Sequence, residues 1–209
     1  MVRFRLAVVA ALAVLAALLP ARPALAATSV GGGDVLTSAA GLRCQLGFNL
    51  SGRGIMAAPS CGPVGTRWYA GTVPVGLTVV VTLTASLIYI DNPAVTQIAG
   101  RRIGGGAIAP VTAAARAYVG QVVSYHSATL GSRTGTVTGI NATISYAGGT
   151  ITGLDRTTLC STARDTGSPV VSGSTGLSIV FGGSSSCAGG STFAQPSTPL
   201  LAAWGRTLY

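Results

Sequence analysis

The sequence predicts an all-β protein, and three observations carry that prediction. The chain contains no lysine and no glutamate, so it lacks two of the better helix formers. It is rich in glycine, serine, threonine and valine, which favour strands and turns. Short apolar runs bounded by glycine or serine recur along the chain, and many short strands of this kind are typical of a sandwich or a barrel.

The first residues have a different composition. Arg3 and Arg5 precede an apolar run over residues 6–19, which is followed by small residues as far as Ala26. This order is typical of a secretory signal peptide. The run of 14 apolar residues is shorter than the roughly 20 that a membrane helix needs. We therefore expect cleavage after residues 1–26, and a secreted mature chain without a membrane span.

Seven segments of the mature chain have the composition of strands, with glycine-containing turns between them such as residues 147–149 and 181–183. The predicted strands are residues 46–50, 77–83, 86–90, 119–125, 135–146, 170–172 and 177–181. A short helix is predicted only near the C-terminus, over residues 199–204, because Pro199 favours the first helical turn.

The mature chain carries ten arginines and four aspartates, a formal charge of +6. Only Arg101 and Arg102 are adjacent, and no basic stripe with interleaved aromatic residues is present. We therefore expect no nucleic-acid partner, and at most weak affinity for anionic cell-surface polymers. The glycine-rich residues 103–110 lack the Gly-Lys-Ser/Thr ending of a phosphate-binding loop, so we interpret them as a connection between two halves.

Four cysteines in an exported chain indicate two disulfides. Three pairings are possible. The sequence-local one joins Cys44 to Cys61 and Cys160 to Cys187, and each of its loops contributes about 3 kcal/mol by the chain-entropy argument. With one histidine, His126, and no closely spaced cysteines, we expect no metal site and no cofactor. We interpret His126 as a surface or hydrogen-bonded polar side chain.

Several fragments follow one another in a fixed order along the mature chain. They are Gly32-Gly33-Asp34, Arg43-Cys44-Gln45-Leu46-Gly47-Phe48-Asn49, Asn141-Ala142-Thr143, Cys160, Asp165, Cys187 and Thr192-Phe193-Ala194-Gln195-Pro196. Together they resemble the streptogrisin branch of the chymotrypsin-like serine proteases, over residues 30–209. The resemblance implies two six-stranded antiparallel β-barrels, residues 30–110 and 111–209, with one disulfide in each and an active site in the cleft between them. We also expect a monomer.

The resemblance implies a catalytic histidine directly before the second cysteine, in a Thr-Ala-Gly-His-Cys segment. Residues 57–61 of this chain are Ala-Ala-Pro-Ser-Cys, so Ser60 occupies the position of the general base. A hydroxyl group, with a pKa far above neutrality, cannot remove a proton from a nucleophile at a useful rate. His126 lies where the family places no catalytic residue. We interpret Asp91 as the aspartate that would orient the histidine.

The nucleophile motif of the family, Gly-Asp-Ser-Gly-Gly-Pro, corresponds to Arg-Asp-Thr-Gly-Ser-Pro at residues 164–169. Thr166 keeps a hydroxyl, but its methyl group crowds the path of attack and restricts χ1. Arg164 replaces the glycine whose N–H helps form the oxyanion hole, so we expect the peptide to be reoriented or the hole to be filled by the guanidinium. Asp165 is interpreted as a buried structural carboxylate.

The substrate-binding strand also differs from the family pattern, because Phe181 replaces a serine before Gly182 and Gly183. A large ring there is expected to narrow the cleft. We therefore expect a secreted pseudoenzyme that binds a protein, a peptide or an anionic polymer through Arg164 and residues 181–183. Two alternatives stay open: an active peptidase with Thr166 as nucleophile and Asp91 or a displaced group as base, and an envelope-associated structural protein without a binding cleft.

Overall fold

A computed structural model describes residues 27–146, 148–184 and 187–209. The predicted signal peptide, residues 1–26, lies outside the described residues. Within the described ranges no helix is both long enough and apolar enough to cross a membrane.

The first half of the chain forms a closed antiparallel barrel of six strands, β2 to β7. They are β2 (Val35–Thr37), β3 (Arg43–Leu50), β4 (Gly54–Ala57), β5 (Arg67–Ala70), β6 (Val73–Val81) and β7 (Ser86–Ile90). Their order around the barrel is β2-β3-β4-β7-β6-β5. Large buried side chains fill its interior because alternate residues of each strand face inward; among them are Leu36, Leu46, Ile55, Trp68 and Ile88.

The second half forms another six-stranded ring, which β15 and β16 close. Its strands are β11 (Val122–Ser127), β12 (Gly131–Tyr146), β13 (Gly149–Thr157), β14 (Pro169–Ser172), β15 (Thr175–Gly183) and β16 (Thr192–Pro196). They pair in the order β15-β14-β11-β12-β13-β16, and β16 pairs again with β15. The two predicted six-stranded antiparallel barrels are therefore confirmed.

Short strands connect the two barrels. β1 (Ser29–Gly32) runs parallel to β8 (Thr96–Arg102), and β9 (Ile108–Ala109) pairs with the other edge of β8. The predicted connection, residues 103–110, thus contains a 3-10 turn at Gly104–Gly106 and a strand of its own. β10 (Ala113–Ala114) then joins the second sheet, parallel to β15.

Among the residues that the structure describes there is one α-helix, α1 (Ser197–Trp204), which lies at the C-terminus and begins two residues earlier than predicted. After it the chain returns to the first barrel. Leu208 forms a β-bridge with Leu50, and the Arg206 guanidinium donates to the Ser51 carbonyl at 2.9 Å. The C-terminal tail therefore ties the second half of the molecule to the first.

The disulfides are Cys44–Cys61 and Cys160–Cys187, with Cα–Cα distances of 4.8 and 5.0 Å, which confirms the sequence-local pairing. Beside the first, Trp68 Nε1–H donates to Thr78 Oγ1 at 2.8 Å. The Thr78 hydroxyl donates in turn to the Cys61 carbonyl, also at 2.8 Å. This buried relay holds the backbone next to Ser60.

Replacing Thr78 by valine keeps the side-chain volume but leaves the Trp68 N–H and the Cys61 carbonyl without partners. Each such buried group costs about 1–3 kcal/mol, so we expect Thr78→Val to lower the free energy of unfolding by about 2–6 kcal/mol. Urea unfolding followed by tryptophan fluorescence measures the change. Thr72→Val, at an exposed turn, is the matched control. Equal losses in both variants would contradict the role of the relay.

Asp155 is an unusual member of the second barrel. It is 1% exposed, and neither carboxylate oxygen has a hydrogen bond of normal geometry among the described residues. Burial raises the pKa of Asp155 to about 6, against smaller opposing effects of the Arg116 charge and the Ser178 hydroxyl. The folded protein therefore binds a proton at this site that the unfolded chain, with an aspartate pKa of about 3.9, releases.

Because the folded state holds this proton more tightly, Asp155 favours folding at low pH, and we expect its contribution to decrease from about pH 4 to about pH 6. The total change is roughly 3 kcal/mol at 1.36 kcal/mol per pKa unit. Asp155→Asn should flatten this part of the curve of unfolding free energy against pH. Asp91→Asn, at an exposed carboxylate, serves as control. Parallel curves for wild type and Asp155→Asn would refute the assignment.

Candidate functional site

A cleft of about 420 Å³ lies between the two barrels. Both halves of the chain contribute to it, as the resemblance implies for an active site. The first barrel and its loops supply Val35, Arg43, Gln45 and Ser60, and the second supplies Ala128, Thr129, Ala163, Arg164 and Thr166. Ser60, Arg164 and Thr166, three residues that the sequence singles out, are thus brought together.

Ser60 lies in an exposed turn that follows β4. The turn is closed by the Cys61 N–H, which donates to the Ala58 carbonyl at 3.2 Å, and it is tied to β3 by the Cys44–Cys61 disulfide. Its position beside the cleft is therefore fixed by the backbone and by the disulfide. The group that it presents there is a hydroxyl.

Arg164 and Thr166 belong to a loop that begins with a 3-10 turn, Ala163–Asp165. Asp165 is buried beneath the turn, where its carboxylate accepts from the Thr162 N–H and hydroxyl, each at 2.8 Å, and from the Tyr125 hydroxyl at 3.3 Å. Arg164 itself is exposed and has no positive φ, so its backbone has a conformation that arginine adopts without strain.

Gly167 fixes the end of this loop. Its φ is +96°, and a Cβ atom there would lie 2.6 Å from the Gln45 carbonyl oxygen and 2.9 Å from the Ala58 Cβ, so only glycine fits. Its N–H donates to the Val180 carbonyl at 2.7 Å. The loop therefore contacts the first barrel on one side and β15 on the other, directly before Phe181.

The structure corrects the interpretation of Asp91. β4 pairs antiparallel with β7 so that Ala57 faces Ser86, and the chain from Ala57 to Ser60 continues beyond that end. Asp91 follows the opposite end of β7, five residues or about 17 Å further along the strand. There it forms an ion pair with Arg67 at 2.6 Å. The sequence around Asp91 does not show which end of β7 lies near Ser60, so the assignment from sequence placed Asp91 at the wrong end.

No acidic residue replaces Asp91 at the cleft. The turn at the Ser60 end of β7, residues 82–85, contains none. Asp34 is paired with Arg102 at 2.7 Å, and Asp155 and Asp165 are buried in the second half of the chain. All four aspartates of the sequence are thus accounted for.

His126 does not line the cleft either. It lies on β11, where its Nδ1 is 3.2 Å from the Ser132 Oγ, and its ring packs beside Gly104 of the connection between the barrels. This placement agrees with its interpretation as a hydrogen-bonded polar side chain.

A second concavity, of about 630 Å³, adjoins β15. Phe181 lines it, with its ring edge-on to that of Tyr146 at a centroid distance of 6.2 Å. Gly183 packs tightly, because a Cβ there would be 2.7 Å from the Ser161 Oγ, whereas a Cβ on Gly182 would meet no described atom within 4 Å. We call this concavity the aromatic groove; Ile144, Tyr146, Phe181, Gly182, Gly183 and Phe193 are among its lining residues.

Two aromatic residues of the groove, Tyr146 and Phe193, were not identified from the sequence. The register explains how they arrive there: Phe193 pairs with Gly182, and Tyr146 is the last residue of β12. Aromatic residues at strand ends were the available signal, but only the pairing of distant strands places them around Phe181.

No model of a protein family matches the chain. Streptogrisin-A of Streptomyces griseus is 37% identical over 185 residues, which cover 86% of this chain and 61% of that protein. Serine protease 2 of Streptomyces fradiae is 35% identical over 78% of this chain and 99% of that protein. Among solved structures, alpha-lytic protease homolog N4 is 40% identical with a TM-score of 0.78, covering 87% of this chain and all of that one.

These similarities cover between 78% and 87% of the chain. The chain spans less than two thirds of streptogrisin-A but nearly the whole of Serine protease 2. On sequence and on structure, the protein belongs to the streptogrisin branch of the chymotrypsin-like serine proteases.

Proposed function

We propose that the mature chain is an extracellular, non-catalytic member of this family that binds a polypeptide in its cleft and aromatic groove without cleaving it. The observation that carries the proposal is the lining of the cleft. Its described residues include the hydroxyls of Ser60 and Thr166 and the guanidinium of Arg164, but no imidazole and no carboxylate. The signal-peptide pattern of residues 1–26 supports secretion.

Peptide hydrolysis in this family needs a base that takes the proton of the nucleophile. Ser60 cannot serve, because an alcohol becomes basic only far above neutral pH. The only histidine, His126, lies outside the cleft, and each aspartate is paired with an arginine or buried. Thr166 therefore has no neighbour able to activate it, and its methyl group adds a steric obstacle.

The aromatic groove is the second feature that supports binding. It has the size of typical ligand pockets and combines two aromatic rings in edge-to-face contact with an open glycine surface at Gly182. It lies near the cleft, because Gly167, which follows Thr166 of the cleft, is hydrogen-bonded to Val180, which precedes Phe181 of the groove. One extended ligand can therefore occupy both, which argues against a purely structural role.

An active peptidase with Thr166 as nucleophile is the competing function, and the placement of the Thr166 hydroxyl in the cleft is the observation that favours it. A fluorophosphonate probe separates the two functions because it reacts only with an activated hydroxyl. We expect no labelling of the purified protein and no hydrolysis of a casein or peptide substrate, with rates about six orders of magnitude below those of an active relative.

Serine protease 2 of Streptomyces fradiae, treated in parallel, serves as the positive control. Stoichiometric labelling located at Thr166 by peptide mass spectrometry would overturn the proposal. Labelling at another residue would exclude Thr166 as the nucleophile and would equally overturn a non-catalytic function.

Restoring the missing groups should restore reactivity if the backbone of the cleft is intact. The triple variant Ser60→His, Thr166→Ser, Arg164→Gly supplies the base and the nucleophile but no carboxylate. Because residues 82–85 lie at the Ser60 end of β7, we expect Thr84→Asp to raise its kcat/KM on a peptide ester at least about a hundredfold.

Thr72→Asp, added to the same triple variant, is the matched control, since it introduces the same charge at an exposed turn. An equal gain from both aspartates would show that position does not matter. No gain from Thr84→Asp would mean that the cleft has been remodelled beyond the residues exchanged.

A further inference from the structure

Most arginines of the mature chain are engaged by the protein itself. Arg67 and Arg102 are paired with aspartates, and Arg101 is buried. Four further arginines donate hydrogen bonds to backbone carbonyls or to polar side chains: Arg53, Arg116, Arg156 and Arg206. The side chain of Arg133 is half-buried, has no hydrogen bond or ion pair among the described residues, and does not line the cleft.

Arg43 and Arg164 are different. Both are exposed, and neither has a hydrogen bond or an ion pair with any residue that the structure describes. They belong to opposite barrels, yet both line the cleft. Two like charges that face one concave site repel each other, and an anion bound between them relieves that repulsion.

The rest of the cleft suits an anion as well. Ser60 and Thr166 add two hydroxyl donors, and no carboxylate is among the described lining residues. The nearest acidic residue in sequence, Asp165, is buried, and its oxygens accept hydrogen bonds from Thr162 and Tyr125. Its charge is directed into the protein and does not neutralise the guanidinium groups.

We propose that the cleft binds a peptide carboxylate between the guanidinium groups of Arg43 and Arg164, while a neighbouring apolar side chain of the same peptide enters the aromatic groove. The proposal deepens the binding function above and rests on it. A planar guanidinium matches a carboxylate with two parallel hydrogen bonds. The groove begins beside Val180, to which Gly167 of the cleft loop is hydrogen-bonded.

A discrete peptide carboxylate fits better than a polyanionic chain. A polyanion needs a continuous track of free basic groups, whereas most of the other arginines are paired, hydrogen-bonded or buried. The cleft of about 420 Å³ is lined by residues of both barrels. The aromatic groove has no basic side chain among its described lining residues to bind further sulfate or phosphate groups.

The full chain is expressed, and the purified protein is immobilised. A pool of random octapeptides with acetylated N-termini and amidated C-termini is then passed over it. Retained peptides are sequenced by mass spectrometry. We expect Asp and Glu to be enriched about tenfold or more over Asn and Gln at one position, with an apolar residue close to it. A second pool with free C-termini shows whether the carboxylate comes from a side chain or from the chain end.

Variants locate the site. Arg43→Gln and Arg164→Gln should each abolish the enrichment of acidic residues. Each should also weaken the affinity for a selected peptide about tenfold to a hundredfold, measured by fluorescence anisotropy. Arg67→Gln removes the same charge outside the cleft and should leave both results unchanged. Gly182→Tyr, which fills the groove without backbone strain, should remove only the apolar preference.

Absence of retained peptides, or equal retention of acidic and amide residues, would overturn the inference. Equal loss of peptide binding in Arg67→Gln and Arg164→Gln would overturn the specific site and indicate diffuse charge attraction. Tight binding of a sulfated polysaccharide, together with no retention of peptides, would overturn the inference and identify a polymer as the ligand. Cleavage of the retained peptides, visible in the same spectra, would instead overturn the non-catalytic function and leave the preference for a carboxylate intact.

Discussion

The close approach of Gly167 to the first barrel is the contact on which the geometry of the site depends. With φ at +96° and no room for a Cβ atom, this residue lets the loop of the second barrel lie against Gln45 and Ala58. Its hydrogen bond to Val180 anchors the same loop to β15. This glycine thus places the loop that carries Arg164 and Thr166 between the first barrel and β15.

The contacts that hold the backbone of this cleft lie beneath the side chains that line it. The disulfide at Cys61, the relay from Trp68 through Thr78 and the buried carboxylate of Asp165 all act on the backbone. Ser60 and Arg164 are exposed and take no part in those contacts. Exchange of such side chains alters reactivity at small cost in stability, since surface substitutions usually change it by less than about 0.5 kcal/mol.

Prediction from the sequence was most reliable for the elements that local composition determines. β7 was predicted with its observed bounds, and α1 was correct to within two residues at its start. Strands such as β1 and β16 were missed because their pairing with distant strands, not their composition, makes them strands. The assignment of Asp91 was wrong for the same reason. Which end of β7 lies near Ser60 depends on the antiparallel register with β4, and similarity of sequence around Asp91 does not contain that register.

The mature chain has ten arginines against four aspartates, and the structure shows where the uncompensated positive charge lies. Two aspartates neutralise Arg67 and Arg102, and two are buried among groups of the second half of the chain. No carboxylate is then left for Arg43 and Arg164, the exposed pair at the seam between the barrels. None of the four aspartates lines the cleft, so the positive charge there is not neutralised. The non-catalytic function and the carboxylate site that we propose both rest on this distribution of charge.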